Sequence, residues 1–156
     1  MSVRTFLAGV GYSNLSDLSV GPMIVAELMK ETWPAHVEVD DLSYGPIAVM
    51  HRFAEASPPF GRLVVVSSVA RDRQGPPIRS YRWDAAPTDA EEVQARVVEC
   101  VTGVIDLENL LIVLRHFEVL PPEVFVVEVE PIAVEFGMEV SPAIAAHFPE
   151  IGRAHV

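Results

Sequence analysis

A glycine-rich segment with one aspartate is the first place where the sequence could do chemistry. It reads GVGYSNLSDLSVG from Gly9 to Gly21 and directly follows a short apolar run. A phosphate-binding loop would need a Gly-Lys-Ser or Gly-Lys-Thr step, and a dinucleotide fingerprint would need a third glycine near Asn14; the segment has neither. A tight turn under a close-packed helix explains the glycines. We therefore expect no nucleotide here.

Acidic residues at the ends of two predicted strands are the candidates for metal binding. Asp17 lies within the first loop, and Asp40 and Asp41 end the second strand. Histidine would be needed to complete a transition-metal site. The five histidines fall before a strand, inside helices or near the C-terminal end, at His36, His51, His116, His147 and His155. The sequence predicts no resident metal, and Asp40 and Asp41 are also explained as residues that cap or solvate a loop.

Three side chains could act as nucleophiles. Ser67 and Ser68 end the most apolar strand, but the glycines that flank a nucleophilic serine in a strand-to-helix elbow are absent. Cys100, the only cysteine, shares a helix face with Val93 and Val97, which predicts a buried and unreactive thiol. No catalytic triad is predicted.

Predicted strands and helices alternate along the chain. Strands are predicted at 3–10, 36–42, 62–70, 78–83 and 124–129, and helices at 19–33, 45–56, 87–101, 106–117 and 141–148. This order predicts a single-domain α/β fold, a three-layer αβα sandwich with a mostly parallel sheet of about five strands. Ligands of such sheets bind at the carboxyl ends of the strands, so the loops after residues 10, 40 and 67 should hold the site.

Individual strands are predicted to have different surroundings. The continuous apolar run at 62–70 is typical of a central strand, and the arginine alternation at 78–83 of an exposed edge. Valines alternate with Glu128 and Glu130 at the end of the predicted strand at 124–129, which predicts a strand with one face in water.

Composition excludes several classes of function. The 156 residues carry a formal net charge of -11, which argues against a nucleic-acid partner. The longest apolar runs are only strand-sized, so we expect no membrane insertion. A single cysteine fits a reducing compartment, and the cytoplasm is the expected location.

Five segments in order resemble a known family over nearly the whole chain. They are GVGYSNLSDLSVG, DDLSYG, VVVSSVARDRQGPPIRSYRW, DLENLLIVLRHFEVLPPEVFVVEVEP and GMEVSPAI. Together they are similar to the nickel-iron hydrogenase maturation endopeptidases, small α/β proteins of phosphorylase/hydrolase-like fold. Members of this family trim the C-terminal tail of the hydrogenase large subunit after nickel insertion. The positions that keep the family's residues are Gly9, Gly11, Asp17, Gly21, Asp40 and Gly45.

The resemblance implies that the family's metal-contacting residues are lost. Family members contact the nickel held by their substrate through three residues. These are an acid after the first loop aspartate, an aspartate ending the central strand and a histidine before the leucine-rich helix. The corresponding positions here are Leu18, Ser67 and, by spacing, about Gly103. Tyr12 also replaces an asparagine of the family. No metal or cofactor of its own is therefore implied.

These losses lead to one main hypothesis and two alternatives. The main hypothesis is a catalytically inactive relative that binds a protein partner, with a nickel-iron hydrogenase large subunit as the expected one. The residues expected to contact the partner are Tyr12, Asp17, Leu18, Asp40, Asp41, Ser67 and Ser68. One alternative is an active endopeptidase with a shifted site of Asp17, Asp40 and His51. The other is an unrelated small-molecule-binding α/β domain.

Overall fold

The computed structural model describes residues 2–84, 88–102, 104 and 106–153, with only the backbone of the last two. Its five strands are β1 (Thr5–Val10), β2 (Val37–Asp41), β3 (Arg62–Ser68), β4 (Ile78–Arg82) and β5 (Glu123–Val129). Its six α-helices are α1 (Val20–Leu28), α2 (Pro46–Glu55), α3 (Ala90–Val101), α4 (Leu107–His116), α5 (Pro142–Ala145) and α6 (Phe148–Arg153). A short 3-10 turn, Ser16–Ser19, precedes α1.

The strands form one sheet in the order β2-β1-β3-β5-β4. β1, β2, β3 and β5 are parallel, and β4 pairs antiparallel with β5 at the edge. The predicted mostly parallel five-stranded sheet is confirmed, with the apolar β3 at its centre. In this register Gly9 lies opposite Asp41 and Val10 opposite Ser67, so the three candidate loops leave the same edge of the sheet.

Helices cover both faces of the sheet, which confirms the three-layer architecture. One core joins β-strand residues to α2 and α4 through buried side chains such as Val49, Phe53 and Leu111. The other joins the opposite face to α1, α5 and α6 through Ile24, Ile144 and Ile151. Burying one such side chain stabilises the fold by roughly 1.5–3 kcal/mol relative to leaving it exposed.

Two glycines allow α1 to lie unusually close to β1. A Cβ at Gly9 would come 2.3 Å from the carbonyl oxygen of Gly21. A Cβ at Gly21 would come 2.6 Å from the carbonyl oxygens of Val10 and Val66. Backbone therefore packs on backbone here, which is the structural reason for these glycines of the first loop.

Helix ends differ from the sequence prediction in two places. The helix predicted over 19–33 ends at Leu28, and the Trp33 indole N–H donates to the carbonyl of Leu28 at 2.7 Å. Trp33 therefore bonds to the end of this helix from outside it, while its ring packs against the same core as Ile24 and Leu28. The helix predicted at 141–148 is two short helices, because Pro149 fits the first turn of a new helix and cannot continue an old one. No helix in the described residues is long and apolar enough to cross a membrane.

Candidate functional site

The loops after β1, β2 and β3 are hydrogen-bonded to one another. The backbone N–H of Gly11 donates to the Ser43 hydroxyl at 3.0 Å, which joins the first loop to the second. The first loop closes on itself, since the Tyr12 N–H donates to the Leu18 carbonyl at 3.1 Å. The Ser68 hydroxyl donates to the Asp17 carbonyl and adds the third loop. The predicted gathering of these segments at one edge of the sheet is observed.

Asp17 is completely buried and anchors a distant part of the chain. Its carboxylate accepts hydrogen bonds from the N–H groups of Ile132 and Ala133, each at 2.8 Å, and from the N–H and hydroxyl of Ser141, each at 2.7 Å. Burial alone would raise the pKa of Asp17, but these hydrogen bonds outweigh it and hold the pKa below its ordinary value. The Asp17 side chain does not reach the surface of the chain, and its predicted contact with a partner stays a prediction.

The serines at the end of β3 are less accessible than the sequence predicted. Ser67 is buried, and its hydroxyl donates to the Val10 carbonyl at 2.9 Å. This interaction ties β3 to the end of β1, and the expected contact of Ser67 with a partner also stays a prediction. Ser68, Tyr12 and Leu18 are partly exposed at this edge. Gly103 lies outside the described residues.

Asp40 and Asp41 take part in local interactions. The Asp40 carboxylate pairs with Arg52 of α2 at 2.7 Å. Burial would lower the pKa of Arg52, but its hydrogen bonds to Tyr44, Asp40 and Glu38 raise it above the ordinary value. Asp41 accepts from the Ser43 N–H at 3.0 Å, as a residue that shapes a turn does. Both side chains are partly exposed at the carboxyl end of β2.

Arg52, and not its neighbour His51, is the α2 side chain that pairs with Asp40. His51 is exposed on α2 and lines a groove with Arg4 and Phe60, which stand at the amino ends of β1 and β3. The shifted site of Asp17, Asp40 and His51 is therefore not assembled. Within the described residues, no group of three or more His, Cys, Asp or Glu side chains is placed to hold a metal ion.

A small cavity opens between the second loop and the helices α3 and α4. Its volume is about 200 Å³, and its lining includes Leu42, Tyr44, Cys100, Val104 and Asp106. Burial, followed by the negative charges of Asp106 and Glu99, raises the pKa of the Cys100 thiol. A raised pKa disfavours the thiolate, but Cys100 is only partly buried, not fully buried as predicted, and its low reactivity stays a prediction.

Glu128 of β5 is a buried charged residue that the sequence pattern did not reveal. It is 0% exposed, although the alternation over 124–129 predicted that its face lies in water. Its Oε1 pairs with Arg71 at 2.8 Å and Arg79 at 3.3 Å, and its Oε2 accepts from the Tyr81 hydroxyl at 2.9 Å. The predicted wet face is wrong because β4 and the loop after β3 cover it with complementary donors.

The Glu128 cluster orients Arg71 beside a second cavity of about 220 Å³. The hydrogen bond to Glu128 is the main cause that raises the pKa of Arg71. Tyr81, Trp83, Asp106 and Glu108 also line this cavity. The arginines of 78–83 could have indicated a buried acidic partner. Their alternation alone predicted only that they lie on an exposed edge strand.

No protein-family model and no curated protein matches the sequence. The solved structure of the hydrogenase maturating endopeptidase HybD from E. coli matches with a TM-score of 0.70 at 21% identity, over 95% of this chain and 86% of that chain. The chain has the hydrogenase maturation endopeptidase fold. The endopeptidase HycI from Escherichia coli matches with a TM-score of 0.65 at 19% identity, over 96% of this chain and 87% of that chain. A hydrogenase 2 maturation peptidase from a Thaumarchaeota archaeon matches with a TM-score of 0.62 at 20% identity, covering 94% and 92%.

These structural matches confirm the resemblance that was predicted from the five sequence segments. A fold hosts many activities, so what this chain does has to be argued from its own side chains. At the carboxyl edge of the sheet these are a partly exposed Leu18, a buried Ser67 and carboxylates that already have internal partners.

Proposed function

We propose that this chain is a binding or assembly factor built on the hydrogenase maturation endopeptidase fold, and that it does not cleave peptide bonds. Its proposed partner is a nickel-iron hydrogenase large subunit. The observation that carries the proposal is the chemistry at the family's metal-contacting positions. Leu18 offers only hydrocarbon there, and the buried Ser67 hydroxyl is hydrogen-bonded to Val10.

Neighbouring side chains do not replace the lost ligands. Serine is a poor ligand for nickel beside a carboxylate or imidazole, and the glycine at position 103 has no side chain to offer. Asp40 is paired with Arg52, and Asp41 accepts hydrogen bonds from Ser43. Among the residues that the structure describes, the carboxylates at this edge are therefore already engaged within the chain and do not replace the family's nickel contacts.

The alternative of an active endopeptidase with a shifted site has little support from the geometry. Asp17 is fully buried and its carboxylate has four hydrogen-bond donors. A general base or metal-contacting group has to reach the substrate, and Asp17 does not. His51 lies in a groove on another part of the surface.

The alternative of a small-molecule-binding domain is also weakly supported. Pockets for drug-sized ligands have volumes of roughly 300–1,000 Å³. The cavity beside Tyr44 and Cys100 has about 200 Å³. Grooves of about 490 Å³ and 390 Å³ fall within that range, but they lie at the amino ends of the parallel strands, away from the carboxyl edge where ligands of such sheets bind. The single cysteine agrees with a protein of a reducing compartment, and we place its action in the cytoplasm.

The experiment combines a binding measurement with a cleavage measurement. Purified chain is titrated with a purified hydrogenase large-subunit precursor that keeps its C-terminal tail, with and without nickel, and affinity is measured by calorimetry. Mass spectrometry of the same mixtures reports the length of the tail. We expect a complex whose affinity does not depend on nickel, and an intact tail.

Two results would overturn the proposal in different ways. Absence of any complex would remove the binding role. Specific removal of the tail would instead establish an endopeptidase. In that case the Asp40→Asn and His51→Ala variants would report whether the shifted site carries the activity, because neither side chain is part of the buried core.

A further inference from the structure

We propose that residues 131–140 form a docking surface for a protein partner whose contact patch is apolar and ringed by lysine and arginine. This segment, called the apolar loop below, connects β5 to α5. Four large apolar side chains on it are solvent-exposed: Ile132 (61%), Val134 (57%), Phe136 (91%) and Met138 (62%). An apolar group of this density on one loop is typical of an interaction site.

The backbone of the apolar loop is anchored along its length. The buried Asp17 holds it at Ile132, Ala133 and Ser141. The Ser16 hydroxyl donates to the Ala133 carbonyl at 2.9 Å and accepts from the Glu135 N–H at 2.9 Å.

Gly137 adds two backbone hydrogen bonds between the apolar loop and the first loop. Its N–H donates to the Asn14 carbonyl at 2.8 Å, and its carbonyl accepts from the Ser16 N–H at 2.9 Å. Because the backbone is already ordered, a partner would not have to supply the conformational entropy of ordering this loop. The loop therefore presents its apolar side chains in a preorganised arrangement.

Charge defines the chemistry of the occupant. The exposed Glu135 and Glu139 stand among the four apolar side chains, and the whole chain carries a net charge of -11. Glu130, at the start of the loop, is already bonded to the backbone N–H groups of Arg71 and Arg73. A complementary surface is therefore apolar at its centre and basic at its rim.

The same charges argue against two other occupants. In a symmetric dimer through this loop, Glu135 and Glu139 of each copy would face the same glutamates of the other copy, and like charges in contact are unfavourable. An anionic membrane surface would likewise repel the glutamates. A protein patch with a basic rim would not be repelled by these glutamates.

The docking surface is continuous with the carboxyl edge of the sheet. Leu15 forms a β-bridge with Gly137, and the partly exposed Leu15 and Leu18 belong to the first loop. A partner on the apolar loop would therefore also reach the position where the family's acid is replaced by leucine. The inference deepens the proposed function and rests on it, since it names where the large subunit docks.

The test compares loop variants with matched controls elsewhere on the surface. Phe136→Ser with Met138→Ser removes the apolar centre, and Met29→Ser with Phe117→Ser makes the same changes at sites that are 54% and 45% exposed. Kd for the large-subunit precursor is measured by calorimetry. We expect the loop variant to bind at least about tenfold more weakly and the control to bind like the unchanged chain.

A charge variant tests the basic rim of the partner. Glu135→Lys with Glu139→Lys is compared with Glu31→Lys with Glu55→Lys, a pair of exposed glutamates of the same total charge change. Because both variants alter net charge equally, only local complementarity distinguishes them. We expect the loop variant to associate more slowly and with a weaker dependence on salt than the control.

Each result supports or overturns the inference. If the unchanged chain binds the precursor and both loop variants bind as well as their controls, the docking surface is wrong while the proposed function stands. If the unchanged chain does not bind the precursor, the proposed function fails and the inference fails with it. Dimerisation in sedimentation experiments, or binding to anionic phosphatidylserine vesicles, that is lost in Phe136→Ser with Met138→Ser would assign the loop to another occupant and overturn it.

Discussion

Ser141 donates two hydrogen bonds to the Asp17 carboxylate, one from its backbone N–H and one from its hydroxyl, each 2.7 Å long. The two residues are 124 positions apart in the chain. A single buried carboxylate therefore joins the first loop to the start of α5. Stability and the position of the apolar loop both depend on it.

Replacing Asp17 with Asn should destabilise the fold by about 3 kcal/mol, since the amide NH₂ would face backbone N–H donors and leave buried groups unsatisfied. Urea unfolding monitored by circular dichroism measures this as a lower midpoint at an unchanged slope. Asp72→Asn is the control, because Asp72 is exposed; its free energy of unfolding should change by less than about 0.5 kcal/mol. An Asp17→Asn midpoint equal to that of the control would contradict the anchoring role.

Stability should depend on acid pH through the same group. The folded pKa of Asp17 lies below its ordinary value, so the stability that it contributes is fully present above the unfolded pKa of about 3.9. That stability is lost as the pH falls through the folded pKa. Below about pH 4 the difference in unfolding free energy between the unchanged chain and Asp17→Asn should therefore shrink. A difference that stays constant from pH 7 to pH 2 would refute this.

Glu128→Gln should remove the charge that compensates Arg71 and Arg79 and destabilise the fold by about 1–3 kcal/mol. Burial, and then the hydrogen bond and charge of Glu128, raise the pKa of Tyr81. In the variant this pKa should fall, and carbon NMR of labelled tyrosine rings measures the change. Glu123→Gln at the partly exposed pair with Arg62 is the control and should cost at most about 1 kcal/mol.

Glu128 and Asp17 also show where sequence reasoning reached its limit. Each stands in a polar pattern that usually marks solvent or a site, and each is buried by residues far along the chain. Arg71 and Tyr81 cover Glu128, and Ser141 covers Asp17. Local periodicity carries no information about such long-range partners.

Fold prediction succeeded where a local pattern and its burial agree. The apolar run of β3 was predicted at the centre of the sheet and lies there, between β1 and β5. A central position buries both faces of the strand, which is what a continuous apolar run requires. Helix ends were predicted less well. Trp33 fits the apolar stripe of α1, but its indole N–H bonds to the carbonyl of Leu28 after the helix has ended.

Gly21→Ala should destabilise the fold by about 2–3 kcal/mol despite alanine's higher helix propensity, since the new Cβ would lie 2.6 Å from two carbonyl oxygens. Chemical denaturation measures the loss. Gly61→Ala is the comparison, because its Cβ would come 2.7 Å from a side-chain methyl of the exposed Val3 and no nearer than 4.0 Å to a backbone oxygen, that of Arg4. Equal effects at the two glycines would argue against the close approach of α1 to β1.

Cys100 should react with iodoacetamide at pH 8 several times more slowly in the folded chain than in the chain unfolded by urea, because burial and nearby negative charge raise its pKa. Glu99→Gln removes one of these charges and should speed the reaction in the folded state. Mass spectrometry follows the single thiol without ambiguity. Equal rates in folded and unfolded chain would show that the thiol is freely accessible.

The strand order has a consequence for synthesis on the ribosome. β4 precedes β5 in the chain, yet its only neighbour in the described sheet is β5. While the chain emerges, β4 has no strand to pair with, and the edge of β3 stays open until Glu123–Val129 is made. The nascent chain thus exposes the apolar edge of β3 until the two intervening helices and β5 are made, and an unpaired apolar edge of this kind favours association with other chains.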